Sequence, residues 1–335
     1  MSVELRGAGI LGTGSYAPPK ILTNFDFEKF VDTTDEWIVT RTGIRQRHIA
    51  EEGTAASDLA FNAATRALES AGVGADEIDL IICATITGDM PFPSTACILQ
   101  NKIGATGAGA FDMQAGCSGW VYAITTATQF IKAGTYNHIL VVGVDVLSKL
   151  TDFTDRSTCV LFGDGAGAVV LGPVAGGEGV LSTCLGADGS GAELLKVEAG
   201  GSRLPTSEET VKSGGHYIKM EGREVYKFAV RIMVEASLNA LNKCGLTPED
   251  VDTFVPHQAN ERIIDAARDR LKIPPEKVFK NVANYGNTSA ASIPIALDEA
   301  YRSGLIKAGD VVVTVGFGAG LTWASAAIKW VAPVK

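Results

Sequence analysis

Three residues of this chain, a cysteine, a histidine and an asparagine, have the chemistry that covalent catalysis needs. Cys117 lies between small residues, Ala115-Gly116 before it and Ser118-Gly119 after it, at the start of an apolar helical segment. The unpaired N–H groups of a helix N-terminus favour the thiolate, which is the nucleophilic form of cysteine. Taken alone, Cys117 is interpreted equally well as a buried structural cysteine.

His257 and Asn287 also have a chemical and a structural interpretation. His257 ends the apolar strand DTFVPH, and ligands of α/β sheets gather at the carboxyl ends of strands; the alternative is a hydrogen-bonded histidine at a strand end. Asn287 stands at the start of a helix, which it could simply cap. If the three side chains converge, they form a thiol nucleophile with two hydrogen-bond donors for an oxyanion.

An internal repeat runs through the chain. ALESAGVGADEID at residues 67–79 recurs as ALNKCGLTPEDVD at residues 240–252, and IKAG at residues 131–134 recurs at residues 306–309. The two offsets, 173 and 175 residues, are nearly equal, and each is about half of the 335 residues. Two matches at one period indicate a duplicated domain with a pseudo-twofold relation between its halves.

The duplication predicts where the candidate residues meet. We place the halves at residues 1–174 and 175–335. Equivalent loops of the two halves should lie near the pseudo-axis. The repeat puts Cys117 and Asn287 at corresponding helix starts and His257 on the adjacent strand end, so we expect the three to converge.

Apolar periodicity predicts helix, strand, helix and strand in each half. The predicted elements lie at residues 58–71, 78–85, 117–132 and 138–144, and again at 225–244, 251–256, 290–303 and 311–317. The strands are continuously apolar, which indicates sheets covered on both faces. Two glycine-rich segments, 163–172 and 316–328, are predicted to be turns that lead into strands, and they lack the features of phosphate-binding loops.

The composition argues against several classes of protein. Hydrophobic residues make up 46% and charged residues 20% of the chain, which is typical of a well-packed globular protein. A net charge of −9 argues against general binding of nucleic acid or anionic membranes. No apolar run approaches the roughly 20 residues that span a bilayer, and no signal-peptide pattern is present, so we expect a cytoplasmic protein. The six cysteines lack metal-ligand spacing, so we expect neither disulfides nor a metal site.

Longer motifs along the whole chain resemble one family. They are DTTDEWIVTRTGIRQRHIA at residues 32–50, FGDGAGAVVL, VPHQAN, NYGNTSAASIPIALDEA and GFGAGLTW. As a set they are similar to β-ketoacyl-acyl-carrier-protein synthase III of the thiolase superfamily. The resemblance implies an α/β protein with a five-layered α-β-α-β-α fold of two duplicated halves, a homodimer, and no cofactor beyond the thioester substrates. The family condenses an acyl-CoA primer (acetyl-CoA or another short or branched acyl-CoA) with malonyl-acyl-carrier protein, releases CoA and CO2, and initiates type II fatty-acid synthesis.

The resemblance also implies a role for each candidate residue. Cys117 would accept the acyl group, and the backbone N–H groups of Cys117 and Ala319 would hold the oxyanion. His257 Nε2 and the Asn287 amide would donate to the malonyl thioester carbonyl and stabilise the enolate that decarboxylation leaves. The asparagine at position 287 resembles the pattern of the priming enzymes, whereas the elongating synthases have a second histidine at this place. Biosynthetic thiolases have a late second reactive cysteine, whereas here none follows Cys244.

Binding of CoA is implied for a further set of residues: Thr33, Trp37, Arg41, Arg156 and Asn260. An indole can stack on adenine, and a guanidinium group can stack or pair with phosphates. The alternative for the arginines at positions 41, 45 and 47 is a solvated basic face.

Contacts with protein partners are implied as well. Lys227, Arg262 and Arg270 would form a basic rim for the carrier protein, although Asp269 stands where some relatives have a basic residue. Phe92 would cross a dimer interface and close the partner's primer pocket; the alternative is an ordinary residue of the interface core.

Two departures from the family pattern bear on primer choice. Gly116 and Trp120 stand where many relatives have alanine and phenylalanine, and Ala319 lies in the middle of the glycine-rich turn.

Three other functions compete with the condensing reaction: a related acyltransferase of specialised metabolism, a cysteine hydrolase, and a binding module that keeps only the fold. The chain lacks the C-G-S-C-W motif of papain-like hydrolases, and the intact set of three residues argues against a binding module.

Overall fold

Strands and helices follow one another in the order that the repeat predicts, in a computed structural model that describes residues 6–331. The strands are β1 (Gly7–Tyr16), β2 (Ile21–Thr23), β3 (Gln46–His48), β4 (Leu80–Ala84), β5 (Gly109–Met113), β6 (Ile139–Val146), β7 (Asp164–Val174), β8 (Gly179–Ala187), β9 (Leu195–Val197), β10 (Ile218–Met220), β11 (Thr253–Pro256), β12 (Val311–Gly318) and β13 (Thr322–Lys329). The α-helices are α1 (Asn24–Phe27), α2 (Asp35–Thr42), α3 (Ala56–Ala71), α4 (Thr95–Ile103), α5 (Gly119–Lys132), α6 (Arg156–Cys159), α7 (Glu208–Lys212), α8 (Gly222–Lys243), α9 (Glu261–Leu271), α10 (Val282–Tyr285) and α11 (Ser292–Arg302).

The large mixed sheet has the order β11-β12-β13-β8-β1-β7-β6-β4-β5. In the first half, counted from the centre of the sheet outward, the antiparallel strands β1, β7 and β6 are followed by β4 and β5, which pair parallel. In the second half, the antiparallel strands β8, β13 and β12 are followed by β11, which pairs parallel. An isolated parallel bridge between Phe254 and Val278 takes the place of β5 in the second half. The two halves meet where Ala8 of β1 pairs with Gly179 of β8. This common strand order confirms the duplicated α/β fold.

The helices pack in three layers, one between the two halves of the sheet and one on each outer face. In the central layer, α5 and α11 share an apolar cluster with strands of both halves, in which Trp120 and Leu297 lie with Ile82 of β4 and Ala326 of β13. Helices α3 and α4 cover the first half of the sheet, and α8 and α9 cover the second. The predicted five-layered arrangement is therefore confirmed.

Small residues let α3 lie directly on β1. A Cβ on Gly12 would lie 2.3 Å from the Ala71 nitrogen, and one on Gly14 would lie 2.4 Å from the Ala63 oxygen. The buried face of α3 is rich in alanine at helical spacing, and the helix ends at Gly72 in the left-handed conformation, with φ of 65°. The outer layer is thus set by residues without bulk on both elements.

In the glycine-rich segment at residues 163–172 the predicted strand is confirmed, but the turn predicted to precede it is absent, because β7 already begins at Asp164. Its glycines lie inside β7, where a Cβ on Gly167 would come within 2.6 Å of the backbone nitrogen of Ile295 in α11. The glycines are therefore required by the close approach of α11. In the second segment, 316–328, the turn is confined to residues 319–321 between β12 and β13.

Two helices of the central layer begin later than predicted, and in the same way. A short 3-10 turn, Gly116–Ser118, precedes α5, and another, Ser289–Ala291, precedes α11. The repeat therefore extends to the local structure around the candidate residues. The division between residues 174 and 175 stays a prediction; it falls just after β7.

Within residues 6–331, no helix is both long and apolar enough to cross a membrane. The same range holds no group of three or more His, Cys, Asp or Glu side chains that could bind a metal ion.

Candidate active site

Cys117, His257 and Asn287 line one cavity of about 110 Å³. Apolar side chains form much of its remaining wall, among them Phe162 and Phe317. The structure thus brings together the three residues that the repeat predicts to converge. A cavity of about 150 Å³ holds a benzene molecule, so this one has room for a group of a few carbon atoms.

The Cys117 thiol lies in the 3-10 turn before α5, and the residue is 8% exposed. Gly116 makes the turn with φ of 53°, a conformation that favours glycine. Burial raises the pKa of the Cys117 thiol to about 12, and the nearby Ser289 hydroxyl opposes this shift. The predicted place of Cys117 near a helix N-terminus is confirmed, because its turn runs directly into α5 at Gly119, and burial opposes the thiolate that this place favours.

The backbone N–H groups of Cys117 and Ala319 lie on closely packed turns. A Cβ on Gly318 would lie 2.4 Å from the Cys117 nitrogen, and one on Gly116 would lie 2.9 Å from the Ala319 nitrogen. Neither N–H donates to another residue in the described range. Ala319 has no positive φ, so alanine fits this turn without strain, and the two unpartnered N–H groups belong to turns in contact with each other.

The imidazole of His257 is held from one side and free on the other. Its Nδ1 lies 2.6 Å from Ser292 Oγ, whereas Nε2 is buried without a partner among the described residues. Ser292 Oγ also accepts from the Gln258 N–H at 3.4 Å, so the imidazole is fixed through Nδ1 by a hydroxyl that is itself held by the backbone. Burial lowers the pKa of His257 to about 3. His257 is therefore a neutral imidazole that lines the cavity, with its Nε2 unpartnered among the described residues.

The Phe317 ring lies edge-on to His257, with 5.4 Å between the ring centroids. This contact supplies the apolar side of the imidazole pocket.

Asn287 is fixed by three hydrogen bonds. Its backbone N–H donates to the Leu161 oxygen at 2.8 Å, and its backbone oxygen accepts from the Gly163 N–H at 3.0 Å. Its side-chain Oδ1 accepts from the Ser289 N–H at 2.8 Å, so the helix-cap interpretation is partly right. Because Oδ1 is held in this way, Nδ2 remains as a donor to the cavity, and it donates to no other described residue.

Asp145 was missed by sequence reasoning. This buried carboxylate accepts from the Ile86 N–H at 2.9 Å, the Thr87 hydroxyl at 2.8 Å and the Ala290 N–H at 3.1 Å. Burial raises the pKa of Asp145. It joins β6 to the segment that follows Asn287. The available signal was a single acidic residue in the apolar strand ILVVGVDV.

Two guanidinium groups pack against the Trp37 indole. The Arg41 carbon Cζ is 4.5 Å from the ring centroid, and that of Arg156 is 5.1 Å from it. Arg156 also donates to the Asp32 backbone oxygen at 2.7 Å. The predicted stacking residues therefore form one cluster, in which both guanidinium groups stack on the indole ring.

Asn260 and Thr33 are the other two predicted CoA-binding residues. Asn260 lines the cavity, and its Nδ2 donates to the Arg41 backbone oxygen at 2.9 Å. The Thr33 hydroxyl is buried without a partner among the described residues. Arg47 is fully buried, with its Nε donating to the Val160 oxygen at 3.1 Å, so the solvated-face interpretation is wrong for that residue.

The predicted docking residues are exposed on α8 and α9. Lys227 pairs with Glu224 at 2.7 Å, and the Arg262 guanidinium lies 5.6 Å from the Tyr226 ring. Arg270 is eight residues further along α9, which is about 12 Å at 1.5 Å per residue. The neighbouring Asp269 carboxylate accepts from Arg268 Nε at 3.0 Å, which reduces its repulsion of an acidic partner.

Phe92 lies in the loop before α4 and is 83% exposed, outside the cavity of this chain. Trp120 is buried in the central layer and does not line the cavity.

Comparison with known proteins identifies one family over most of the chain. The family model described as 3-oxoacyl-[acyl-carrier-protein (ACP)] synthase III matches residues 111–189, and the model of its C-terminal part matches residues 241–330. The chain is 60% identical over 327 residues to the β-ketoacyl-[acyl-carrier-protein] synthase III of Caldanaerobacter subterraneus subsp. tengcongensis, covering 98% of this chain and 99% of that one. Identity to the Clostridioides difficile protein of the same name is 57%, over 96% and 98% of the two chains. The crystal structure of 3-oxoacyl-[acyl-carrier-protein] synthase III from Aquifex aeolicus VF5 superimposes with a TM-score of 0.90 at 49% identity, covering 97% of this chain and all of that one.

Proposed function

The chain belongs to the 3-oxoacyl-[acyl-carrier-protein] synthase III family of condensing acyltransferases, and from this membership we propose that it joins an acyl-CoA primer to malonyl-acyl-carrier protein. The observation that carries the proposal is the shared cavity of Cys117, His257 and Asn287, in which His257 Nε2 is buried without a partner among the described residues. Buried donors without partners are costly, and the oxygen of a substrate would satisfy them.

In the first half-reaction, the Cys117 sulfur attacks the acyl-CoA carbonyl. A bond forms from sulfur to the acyl carbon, and the bond from that carbon to the CoA sulfur breaks. The proton that leaves the thiol ends on the CoA sulfur, so charge is balanced. The N–H groups of Cys117 and Ala319 stabilise the oxyanion, and each such donor is worth about 3 kcal/mol in known enzymes.

In the second half-reaction, malonyl-acyl-carrier protein loses CO2. The electron pair of the broken C–C bond becomes an enolate on the thioester oxygen, to which His257 Nε2–H and Asn287 Nδ2–H donate. The enolate carbon then attacks the acyl carbon on Cys117 and expels the sulfur as a thiolate, which takes up one proton from solvent. A neutral histidine suits this role because it donates without first having to be charged.

For CoA binding, we propose that the Trp37 cluster takes the adenine and phosphate groups. The Arg41 and Arg156 guanidinium groups match the charge of phosphates, and adenine would replace one of them on the indole. Asn260 connects this cluster to the cavity, which supports a continuous path from the surface to Cys117.

For the carrier protein, we propose the basic rim of Lys227, Arg262 and Arg270. A local basic surface on a chain of net charge −9 favours an acidic partner. Arg262→Glu should raise KM for malonyl-acyl-carrier protein about tenfold and leave acylation by acyl-CoA unchanged. Arg203→Glu, at another exposed arginine, is the control, and an equal effect of both variants would contradict the docking site.

We also propose a homodimer in the cytoplasm. Strand β5 is the edge of the sheet and has no neighbour on its outer side within residues 6–331. Open edges invite pairing with another chain, and the nearby Phe92 and Met90 are 83% and 49% exposed. Free thiols at all six cysteines are consistent with a reducing compartment.

Sedimentation velocity tests the dimer, with twice the chain mass as the expected result. Phe92→Ser should change the preferred primer length, because a partner's side chain would close each primer pocket. Phe25→Ser is the matched control, since this phenylalanine of α1 is also exposed. A monomeric wild type would contradict the proposal.

Intact-protein mass after mixing with a panel of acyl-CoAs tests the first half-reaction. A mass gain of one acyl group, absent from Cys117→Ser, is the expected result. Release of CO2 from malonyl-acyl-carrier protein tests the second half-reaction. If neither CoA nor carrier-protein thioesters acylate the wild type, the proposed function is wrong.

A further inference from the structure

Two hydroxyl groups, on Ser118 and Thr322, lie between the nucleophile turn and the glycine-rich turn. Ser118 Oγ is 2.7 Å from the Ala115 oxygen and 2.8 Å from Thr322 Oγ1. Thr322 Oγ1 is also 2.8 Å from the Ala115 oxygen and 3.0 Å from the Ala319 oxygen. The two hydroxyls therefore contact backbone on both sides of the site.

The proton count makes this a connected network. Two hydroxyl oxygens 2.8 Å apart share a proton in one direction or the other. If Ser118 donates to Thr322, then Thr322 donates to the Ala115 or Ala319 oxygen. If Thr322 donates to Ser118, then Ser118 donates to the Ala115 oxygen. Each arrangement joins the nucleophile turn to the residue that begins β13.

The network links two backbone N–H groups whose separation is not fixed by neighbouring positions in the sequence. The two oxyanion donors, the N–H groups of Cys117 and Ala319, come from different halves of the protein. Ser118 and Thr322 are 204 residues apart in sequence, yet each is within three residues of one of these donors. The spacing of the donors therefore depends on contacts across the two turns.

We propose that Ser118 and Thr322 are positioning residues that set the distance between the two oxyanion donors. Their effect is confined to acyl transfer to and from Cys117. Decarboxylation uses His257 and Asn287, which the network does not contact. This inference rests on the proposed function, since it assigns the hydroxyls to one of its two half-reactions.

The two positions differ in expected effect. Thr322→Val keeps the shape of the side chain and removes the hydroxyl that reaches both backbone oxygens. A displacement of about 1 Å in a catalytic geometry costs on the order of 100-fold in rate, so we expect a 10- to 100-fold slower acylation. Ser118→Ala should cost less, about 3- to 10-fold, because Thr322 still reaches the Ala115 oxygen directly.

The test measures the two half-reactions separately. Acylation is followed by quenched intact-mass measurement with an acyl-CoA that acylates the wild type. Decarboxylation is followed as CO2 release from malonyl-acyl-carrier protein without primer. Thr322→Val should slow acylation and leave CO2 release within about threefold of wild type, and Thr322→Ser should restore acylation.

Thr314→Val is the matched control. This buried threonine lies on β12, and its hydroxyl has no partner among the described residues, so both half-reactions should be unchanged. Equal loss of acylation and CO2 release in Thr322→Val, or no loss of acylation, would overturn the inference. Failure of the wild type to acylate would instead refute the proposed function.

Discussion

Replacing Asn287 by aspartate tests how the two half-reactions divide the site. The aspartate has the shape of asparagine and keeps an oxygen to accept from the Ser289 N–H, now 2.8 Å away. What it loses is the Nδ2 donor, which a carboxylate oxygen replaces. Asn287→Ala removes the donor too, but it also frees Ser289, whose φ of 50° depends on local contacts. Aspartate is therefore the more selective change.

The expected magnitude follows from one lost oxyanion donor. Such a loss costs about 10²- to 10³-fold in rate, or roughly 3 to 4 kcal/mol. A negative charge beside the enolate adds to this loss. Acylation of Cys117 uses the backbone N–H groups of Cys117 and Ala319 instead, so we expect it to change by no more than about threefold.

Two assays on the same preparation decide the matter. Release of CO2 from malonyl-acyl-carrier protein should fall at least 100-fold in Asn287→Asp, while the intact-mass acylation rate stays near that of wild type. Asn284→Asp, at an exposed asparagine three residues earlier, is the control and should leave both rates unchanged. Equal losses in both assays, or normal CO2 release, would refute the assignment of Asn287 to the enolate.

Other variants test the remaining parts of the site. Cys117→Ala should abolish condensation without lowering the melting temperature, because the thiol makes no bond that the fold requires; residual turnover in a coupled CoA-release assay would contradict the nucleophile. Trp37→Ala should raise KM for acyl-CoA 3- to 10-fold in steady-state kinetics, the value of one aromatic stack, and an unchanged KM would place adenine elsewhere. Ser292→Ala should slow CO2 release more than acylation, because the Nε2–H form of His257 loses its donor at Nδ1. The pKa of His257 is 6.5 in the unfolded protein and about 3 in the folded protein. Below pH 6.5 the unfolded protein therefore binds a proton that the folded protein does not, and the free energy of unfolding falls as pH falls. From pH 7.5 to 5.5, urea unfolding should show wild type losing about 1.4 kcal/mol relative to His257→Gln; no such difference would mean that the imidazole is not buried neutral.

The repeat carried most of what the sequence could predict about the fold. It predicted the order of elements in both halves, because each half must solve the same packing problem with the same pattern of apolar residues. It did not predict that the glycines of residues 163–172 lie in a strand. Their signal is the same as that of a turn, and only the approach of α11 to Gly167 distinguishes the two.

Some residues of the candidate site could also be predicted from the sequence, and others could not. Cys117, His257 and Asn287 were predictable because each has a distinctive residue type at an element boundary, and the repeat relates those boundaries. Asp145, Ser292 and the hydroxyl of Thr322 were not, since their partners lie tens to hundreds of residues away in sequence. The helix start at Cys117 was predictable, but the depth of burial that raises the pKa of its thiol was not.

The place of β13 in the sheet has a consequence for how the protein is made. Strands β1, β7, β6, β4 and β5 have all been synthesised by residue 174, so the first half of the sheet can form while translation continues. The second half cannot. Strand β13 (Thr322–Lys329) lies between β12 and β8, so these two strands are not joined until β13 has been synthesised. The half that carries Cys117 is therefore synthesised before the half that carries His257 and Asn287. We expect the nascent chain to acquire protease resistance in two steps, with enzymatic competence arriving only at the second.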